Sequence, residues 1–272
     1  MTHEKSIEQI FKNLNRWRHL PTYQLERRAD LFFSLYIKEV VRSHLSRDIL
    51  TGGIPVEISD PIIPEFALKQ HNDLPKDSNN ADRVDYLLLS ETKDIAYLVE
   101  LKTDEKSVMN AKQIKYLEQA KEKSFNEIVE GIIQMFQKKR HVKYFNLLLE
   151  LNNLGVIDGL EFENQEYILK YFKNKREHCK AISGIINNIK TNKKIAKTKV
   201  KIIYVLPQLP VNLKNPVLVE RLKTLVDNNF ITFDIVREHL KDKGGFAVEF
   251  SEALIKWQIS PDRVNEEVIR NN

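Results

Sequence analysis

The spacing of apolar residues divides the chain into helical and extended stretches. Ile7, Ile10, Phe11 and Leu14 fall on one face of a short helix. After Pro21, the residues Leu25, Ala29, Phe32, Phe33, Tyr36 and Val40 form the apolar stripe of a stronger helix, from about Gln24 to Leu45. Its acids Glu26 and Asp30 are one turn apart near the N-terminal end. Thr51-Gly52-Gly53 breaks this pattern, and Ile54–Ile58 begins an extended texture. Pro61 and Pro64 then mark an edge strand or a bulged stretch, and the polar run Gln70–Asn80 reads as a loop.

Two clear strands come next. Arg83–Leu89 and Ile95–Lys102 flank the polar turn Ser90–Asp94, the pattern of a β-hairpin. Ser107–Arg140 is helical in spacing, as one helix or two, with Gly131 as a soft point. Tyr144–Leu154 reads as helical or mixed, and Glu166–Ile189 as a further helix. Lys201–Leu206 is a β-branched apolar run ending at Pro207, which fits a buried central strand. A helix over Pro216–Val226 and a strand over Phe230–Val236 complete the order. Strands grouped early and then alternating with helices imply an α/β fold. The expected architecture is a mixed central sheet of four to five strands flanked by helices on both faces. No repeat or linker divides the chain. It reads as a single domain over 1–272 with a core at about 24–236, on which the N-terminal helix and a C-terminal extension pack.

Composition narrows the function. With 272 residues the chain can bury a substantial core, and 43 basic against 38 acidic residues give a formal charge of +5. That mild excess permits an anionic partner without requiring one. Cys179 is the only cysteine, so an intramolecular disulfide and a multi-cysteine zinc site are both excluded. Apolar runs such as Ile202–Leu206 are too short to span a bilayer, and the N-terminus has no apolar leader, so a cytoplasmic protein is expected. Gly52-Gly53 and Gly244-Gly245 are turns, with no glycine-rich phosphate loop.

The hairpin carries the chemistry. Centring its turn between Thr92 and Lys93 puts Asp85 opposite Glu100, Leu87 opposite Leu98 and Leu89 opposite Ala96. Lys102 shares the face of Glu100, two residues along. Directly opposed carboxylates repel, so either a proton or a cation must sit between them. Lys102 supplies part of that charge. Two carboxylates with a backbone carbonyl would suit a hard, oxygen-preferring Mg²⁺.

Asp85 followed by Glu100-Leu101-Lys102, on a hairpin between a preceding and a following helix, resembles the PD-(D/E)xK nuclease superfamily. The motif reads Arg83-Val84-Asp85-Tyr86 and Val99-Glu100-Leu101-Lys102, with Val84 where the family name has proline. The resemblance covers about Glu26–Tyr116. It implies a restriction-endonuclease-like αβββαβ core with extra helices, and a Mg²⁺-dependent nuclease (Mn²⁺ can substitute) cutting phosphodiester bonds of nucleic acid, DNA before RNA. Asp85, Glu100 and the Leu101 carbonyl would hold the metal, with Lys102 as the catalytic lysine. Glu26, or second Asp30, would be the acid from the first core helix, and Gln113 and Tyr116 would be the Gln and Tyr early in the following helix. Cleavage of both strands would favour a homodimer, whose interface no motif specifies.

Each reading has a plainer rival. The three-residue pattern recurs at Glu91-Thr92-Lys93 and Asp104-Glu105-Lys106, but only Glu100 interrupts an apolar strand, where a carboxylate needs a partner. A catalytically inactive module that keeps the fold to bind nucleic acid or a protein is the alternative function. Glu26 would otherwise be an acid favouring a helix N-terminus. His178 beside Cys179 reads as structural. The lysines 190, 193, 194, 197, 199 and 201 form a solvated loop, or a phosphate-binding surface if the fold turns them toward the site.

Overall fold

The computed structural model describes residues 3–17, 25–47, 56–68, 82–108, 110–139, 142–173, 179–209 and 215–258. The break at Thr51–Gly53, the loop at Gln70–Asn80 and His178 lie outside the described residues. In chain order the elements are α1 (His3–Trp17), α2 (Leu25–Phe33), α3 (Ile37–Arg47), β1 (Ile63–Leu68), β2 (Asp82–Leu89), β3 (Ile95–Leu101), α4 (Glu105–Val108), α5 (Ala111–Lys121) and α6 (Phe125–Lys139). They continue with α7 (Val142–Asn153), β4 (Ile157–Asp158), α8 (Phe162–Lys173), α9 (Cys179–Asn188), β5 (Lys190–Thr191), β6 (Lys199–Leu206), α10 (Pro216–Val226), β7 (Phe230–Thr232), α11 (Phe233–Leu240) and α12 (Gly245–Gln258). The protein is mixed α/β. Its five-stranded sheet runs in the order β1-β2-β3-β6-β7, antiparallel at β1–β2 and parallel at β6–β7, and β4 and β5 form a separate two-stranded sheet.

Two units divide the chain, each gathered from separated stretches, so no linker marks the boundary. The first comprises Met1–Glu57, Val99–Lys115 and Ile202–Asn272. Its helices meet in an aromatic cluster: Phe11 of α1 lies 5.2 Å from Phe32 of α2, and Phe250 of α12 lies 6.1 Å from Phe11 and 6.0 Å from Tyr36. The helix expected from about Gln24 to Leu45 is two. Ser34, Leu35 and Tyr36 form a tighter turn in which the Leu35 and Tyr36 N–H groups donate to carbonyls three residues back. The Ser34 hydroxyl donates to the Leu31 carbonyl (2.7 Å), a local bond that competes with a regular helical ladder.

The expected strand at Phe230–Val236 also differs. Only Phe230–Thr232 is extended, and Thr232 then caps α11, its hydroxyl accepting from the Ile235 N–H.

The second unit comprises Ile58–Leu98 and Tyr116–Lys201. The Ile54–Ile58 run contributes one isolated bridge, Ile58 to Ser90, among the described residues. Strand β1 comes after it and pairs with β2 from Ile63↔Leu87 to Leu68↔Asp82. Pro64 is tolerated because β1 is the sheet's edge. Glu65, which this register sets across from Asp85, has φ of 49° and drops out of the ladder, and its carboxylate pairs with Arg83 at 3.2 Å.

At the closed end of the hairpin, the Ser90 N–H donates to Ile95 O (2.9 Å). The long helical stretch breaks at Glu122–Ser124 instead of Gly131. There Ser124 and Glu127 form a reciprocal capping box: the Ser124 N–H donates to Glu127 Oε2 (2.8 Å) and the Glu127 N–H to Ser124 Oγ (3.3 Å). The Ser124 N–H and the Ser124 hydroxyl, both donating to Glu127 Oε2, hold that carboxyl below its ordinary range.

Candidate active site

Strand β3 is buried almost end to end, and Glu100 lies inside it at 1 % exposure. A carboxylate removed from water in this way is costly unless donors reach it. Two do. The Lys102 ammonium lies 2.6 Å from Glu100 Oε1, and the Gln113 side-chain amide donates to the same oxygen. Lys102 is itself 4 % exposed, and its backbone N–H donates to Val205 O (2.8 Å), carrying the ladder from β3 onto β6 past the end of the strand. The face shared by Glu100 and Lys102 thus follows from strand alternation and is fixed by this extra bond.

Glu26 completes the group. It sits in the first turn of α2, with Oε1 3.5 Å from the Lys102 ammonium and its side chain 34 % exposed. Gln113 sits in the first turn of α5, where its backbone N–H donates to Asn110 Oδ1 (3.2 Å), so the residue ahead of the helix also fixes the glutamine's position. Four polar side chains from three separate parts of the chain therefore converge within the first unit. With Glu26, Glu100 and Lys102 ionised, the group carries one net negative charge in a poorly solvated place.

Asp30, one turn after Glu26 on α2, is half-buried. Leu101 is fully buried at the end of β3. Asp85 belongs to the second unit, half-buried on β2 between the buried Val84 and Tyr86. Tyr116 belongs to the same unit, and its hydroxyl donates to the Arg83 carbonyl (2.8 Å), two residues before Asp85. The sequence pattern does not anticipate the Arg83–Glu65 pair flanking Asp85. The Pro64-Glu65 step in an edge strand is the one available signal, because proline there announces an irregular partner for β2.

The lysine-rich segment is fastened to the closed end of the hairpin. Thr198 donates to Lys93 O and the Lys199 N–H to Asp94 O (2.8 Å). That end is about 17 Å of strand from Asp85, at about 3.3 Å per residue. The turn is itself rigid: Asp94 Oδ1 accepts from Ser90 Oγ (2.6 Å) and Thr92 Oγ1 (2.5 Å), which holds its carboxyl below the ordinary range. Lys93 donates to Gly155 O (3.2 Å).

Among the described residues no group of three or more His, Cys, Asp or Glu side chains gathers closely enough to hold a metal ion. No helix among them is long and apolar enough to cross a membrane. No family model, curated protein or solved structure matches the chain.

Proposed function

We propose that the protein is a Mg²⁺-dependent nuclease of the restriction-endonuclease-like fold, hydrolysing phosphodiester bonds in nucleic acid, DNA before RNA. One observation carries the reading: Glu100, buried in an apolar strand, is clasped by Lys102 and Gln113, with Glu26 on the far side of the lysine. A surface salt bridge needs no such enclosure, and an apolar side chain would fill a purely structural position with a smaller desolvation penalty.

The donor chemistry suits the metal. The carboxylates are hard oxygen ligands of the kind Mg²⁺ prefers. Glu100 and the Leu101 carbonyl would hold Mg²⁺, and the motif assigns the second carboxylate to Asp85. When bound, the ion would lower the pKa of a coordinated water and offset charge developing on the phosphate. Gln113 orients the Glu100 carboxylate, and Glu26 steadies the Lys102 ammonium, the group positioned to donate a hydrogen bond to an attacking oxygen or a phosphate oxygen.

The rival reading is an inactive module that binds nucleic acid or a protein. Cleavage of supercoiled plasmid and single-stranded DNA with Mg²⁺ or Mn²⁺ separates the two. Wild type should cut, EDTA should stop it, and Glu100→Gln prepared identically should lose the activity while keeping its fold by circular dichroism. Equal cutting by both proteins would remove Glu100 from the mechanism; no cutting by wild type would favour the binding module.

A further inference from the structure

The basic excess of this protein has an address. The twelve residues from Lys190 to Lys201 contain six lysines and no acid; taking those six from the 43 basic residues leaves 37 against 38 acidic ones. The rest of the chain is close to neutral, so the whole positive surplus sits on one segment. Clustered like charges repel, and a protein without use for such a cluster would disperse it or pair it.

Here it is neither dispersed nor paired. Lys190, Lys193, Lys194, Lys197 and Lys199 are exposed. Among the described residues none of these five ammonium groups makes an ion pair, whereas Lys12, Lys102, Lys223, Lys241 and Lys243 all do. Nor is the segment a loose loop. Lys190 and Thr191 pair with Asp158 and Ile157 across β4 and β5. Asn192 donates to Asp158 Oδ1 (2.9 Å) and accepts from the Lys194 N–H (2.9 Å), capping a 3-10 turn at Lys193–Ile195 whose Ile195 is fully buried. Thr198 and Lys199 then tie the segment to the hairpin turn. Burial, and then the charge of Lys194, hold the Lys93 ammonium below the ordinary lysine range, with Asp158 opposing the effect. The backbone is fixed and the charges are presented on it.

We infer that this segment is a docking surface for the phosphate backbone of duplex nucleic acid. Rigidly spaced, unpaired lysines suit a regular array of phosphates, releasing counterions when they bind it. The segment's large apolar side chains Ile195 and Val200 are buried, which leaves nothing to insert into a lipid surface and no aromatic or aliphatic centre for a protein interface. The surface functions whether or not the Glu100 group is catalytic.

The test is fluorescence anisotropy of a labelled duplex DNA of about 30 base pairs in EDTA, between about 50 and 200 mM salt. Wild type and Glu100→Gln should bind alike. The triple variant Lys193→Gln/Lys194→Gln/Lys197→Gln should bind at least about tenfold more weakly and flatten the log–log salt slope by about 1 per lysine removed. A control with the same charge loss elsewhere, Lys12→Gln/Lys223→Gln/Lys241→Gln, should stay within about twofold of wild type. Equal weakening in both triple variants, or no duplex binding by wild type, overturns the inference. So does a segment variant that keeps its duplex affinity and loses binding to phosphatidylserine vesicles instead. Loss of cleavage with retained binding in Glu100→Gln would leave it standing, so its failure and that of the nuclease reading are told apart.

Discussion

Lys102 Nζ lies 2.6 Å from Glu100 Oε1, and both side chains are almost wholly withdrawn from solvent. Removing two ions from water costs several kcal/mol each, and their attraction offsets this only when further donors complete the shell. Here Gln113 donates to the carboxylate, and Glu26 accepts from the ammonium. Two well-packed apolar side chains would stabilise the same place at least as well, which makes the pair informative about function.

The stability of variants reads this directly. Breaking the pair from one side, as in Lys102→Met, strands a buried carboxylate and should cost about 3–5 kcal/mol. Replacing both partners, as in Glu100→Leu/Lys102→Met, should recover most of that loss or exceed wild-type stability by about 1 kcal/mol or more. Urea unfolding of the three proteins reads both effects, and plasmid cleavage should be absent from both variants. A double variant less stable than the single one would show that the pair is structural after all.

Gln113 and Tyr116 occupy successive turns of α5 and should respond differently. Gln113 donates to an ionised oxygen, so Gln113→Ala should cost about 1.5–3 kcal/mol, whereas Tyr116→Phe removes a hydroxyl bond to a neutral carbonyl, about 0.5–1.5 kcal/mol. Denaturant midpoints at neutral pH give both numbers. In the nuclease reading Gln113→Ala also lowers kcat, because the Glu100 carboxylate loses the donor that orients it.

Much of this group is legible in the sequence. Glu100 stands out because it interrupts Ala96–Leu101, and strand alternation alone places Lys102 beside it. Glu26 is visible as an early acid on an amphipathic helix. The hairpin, β6 and α10 are readable from β-branched runs, turn residues and proline at a helix start. Other features depend on tertiary contacts. Helix α12 has too broad an apolar surface for a stripe to show, and it is secured by Phe250 packing on Phe11 and Tyr36 from distant sequence. Thr232 favours both a strand and a helix cap, and only the fold decides where β7 stops. The Ser124/Glu127 capping box is written in the sequence, yet the nearby Gly131 is the more obvious breaker.

Two glycines with nearly the same backbone angle separate conformational strain from steric exclusion. Gly159 has φ of 87° and Gly244 of 88°. A Cβ at Gly244 would meet nothing within 4 Å, so Gly244→Ala should cost only the left-handed penalty, about 1–2 kcal/mol. At Gly159 the same atom would stand 2.3 Å from the Asn188 carbonyl oxygen, and backbone cannot swing aside. Gly159→Ala should therefore cost at least about 2 kcal/mol more, and thermal unfolding of the two variants should rank them in that order.

Tyr97 predicts how the fold fails at alkaline pH. It is buried on β3, and burial, followed by the charge of Asp94, pushes its phenol from 10.0 to about 12. The unfolded chain gives up this proton near pH 10 while the folded chain holds it, so the tyrosine's contribution is intact below pH 10 and is lost as pH climbs toward 12. A shift of that size corresponds to about 3 kcal/mol. Lys93 acts oppositely: its lowered value means that stability rises with pH up to about 10.5, which partly masks the tyrosine in the intact protein. Comparison with Tyr97→Phe isolates it. The stability difference between wild type and variant, measured by urea unfolding, should be constant from about pH 7 to 9.5 and then shift in favour of the variant as pH rises past about 10. A difference that stays flat to about pH 11.5 would mean that the phenol ionises in the folded protein as readily as in the open chain.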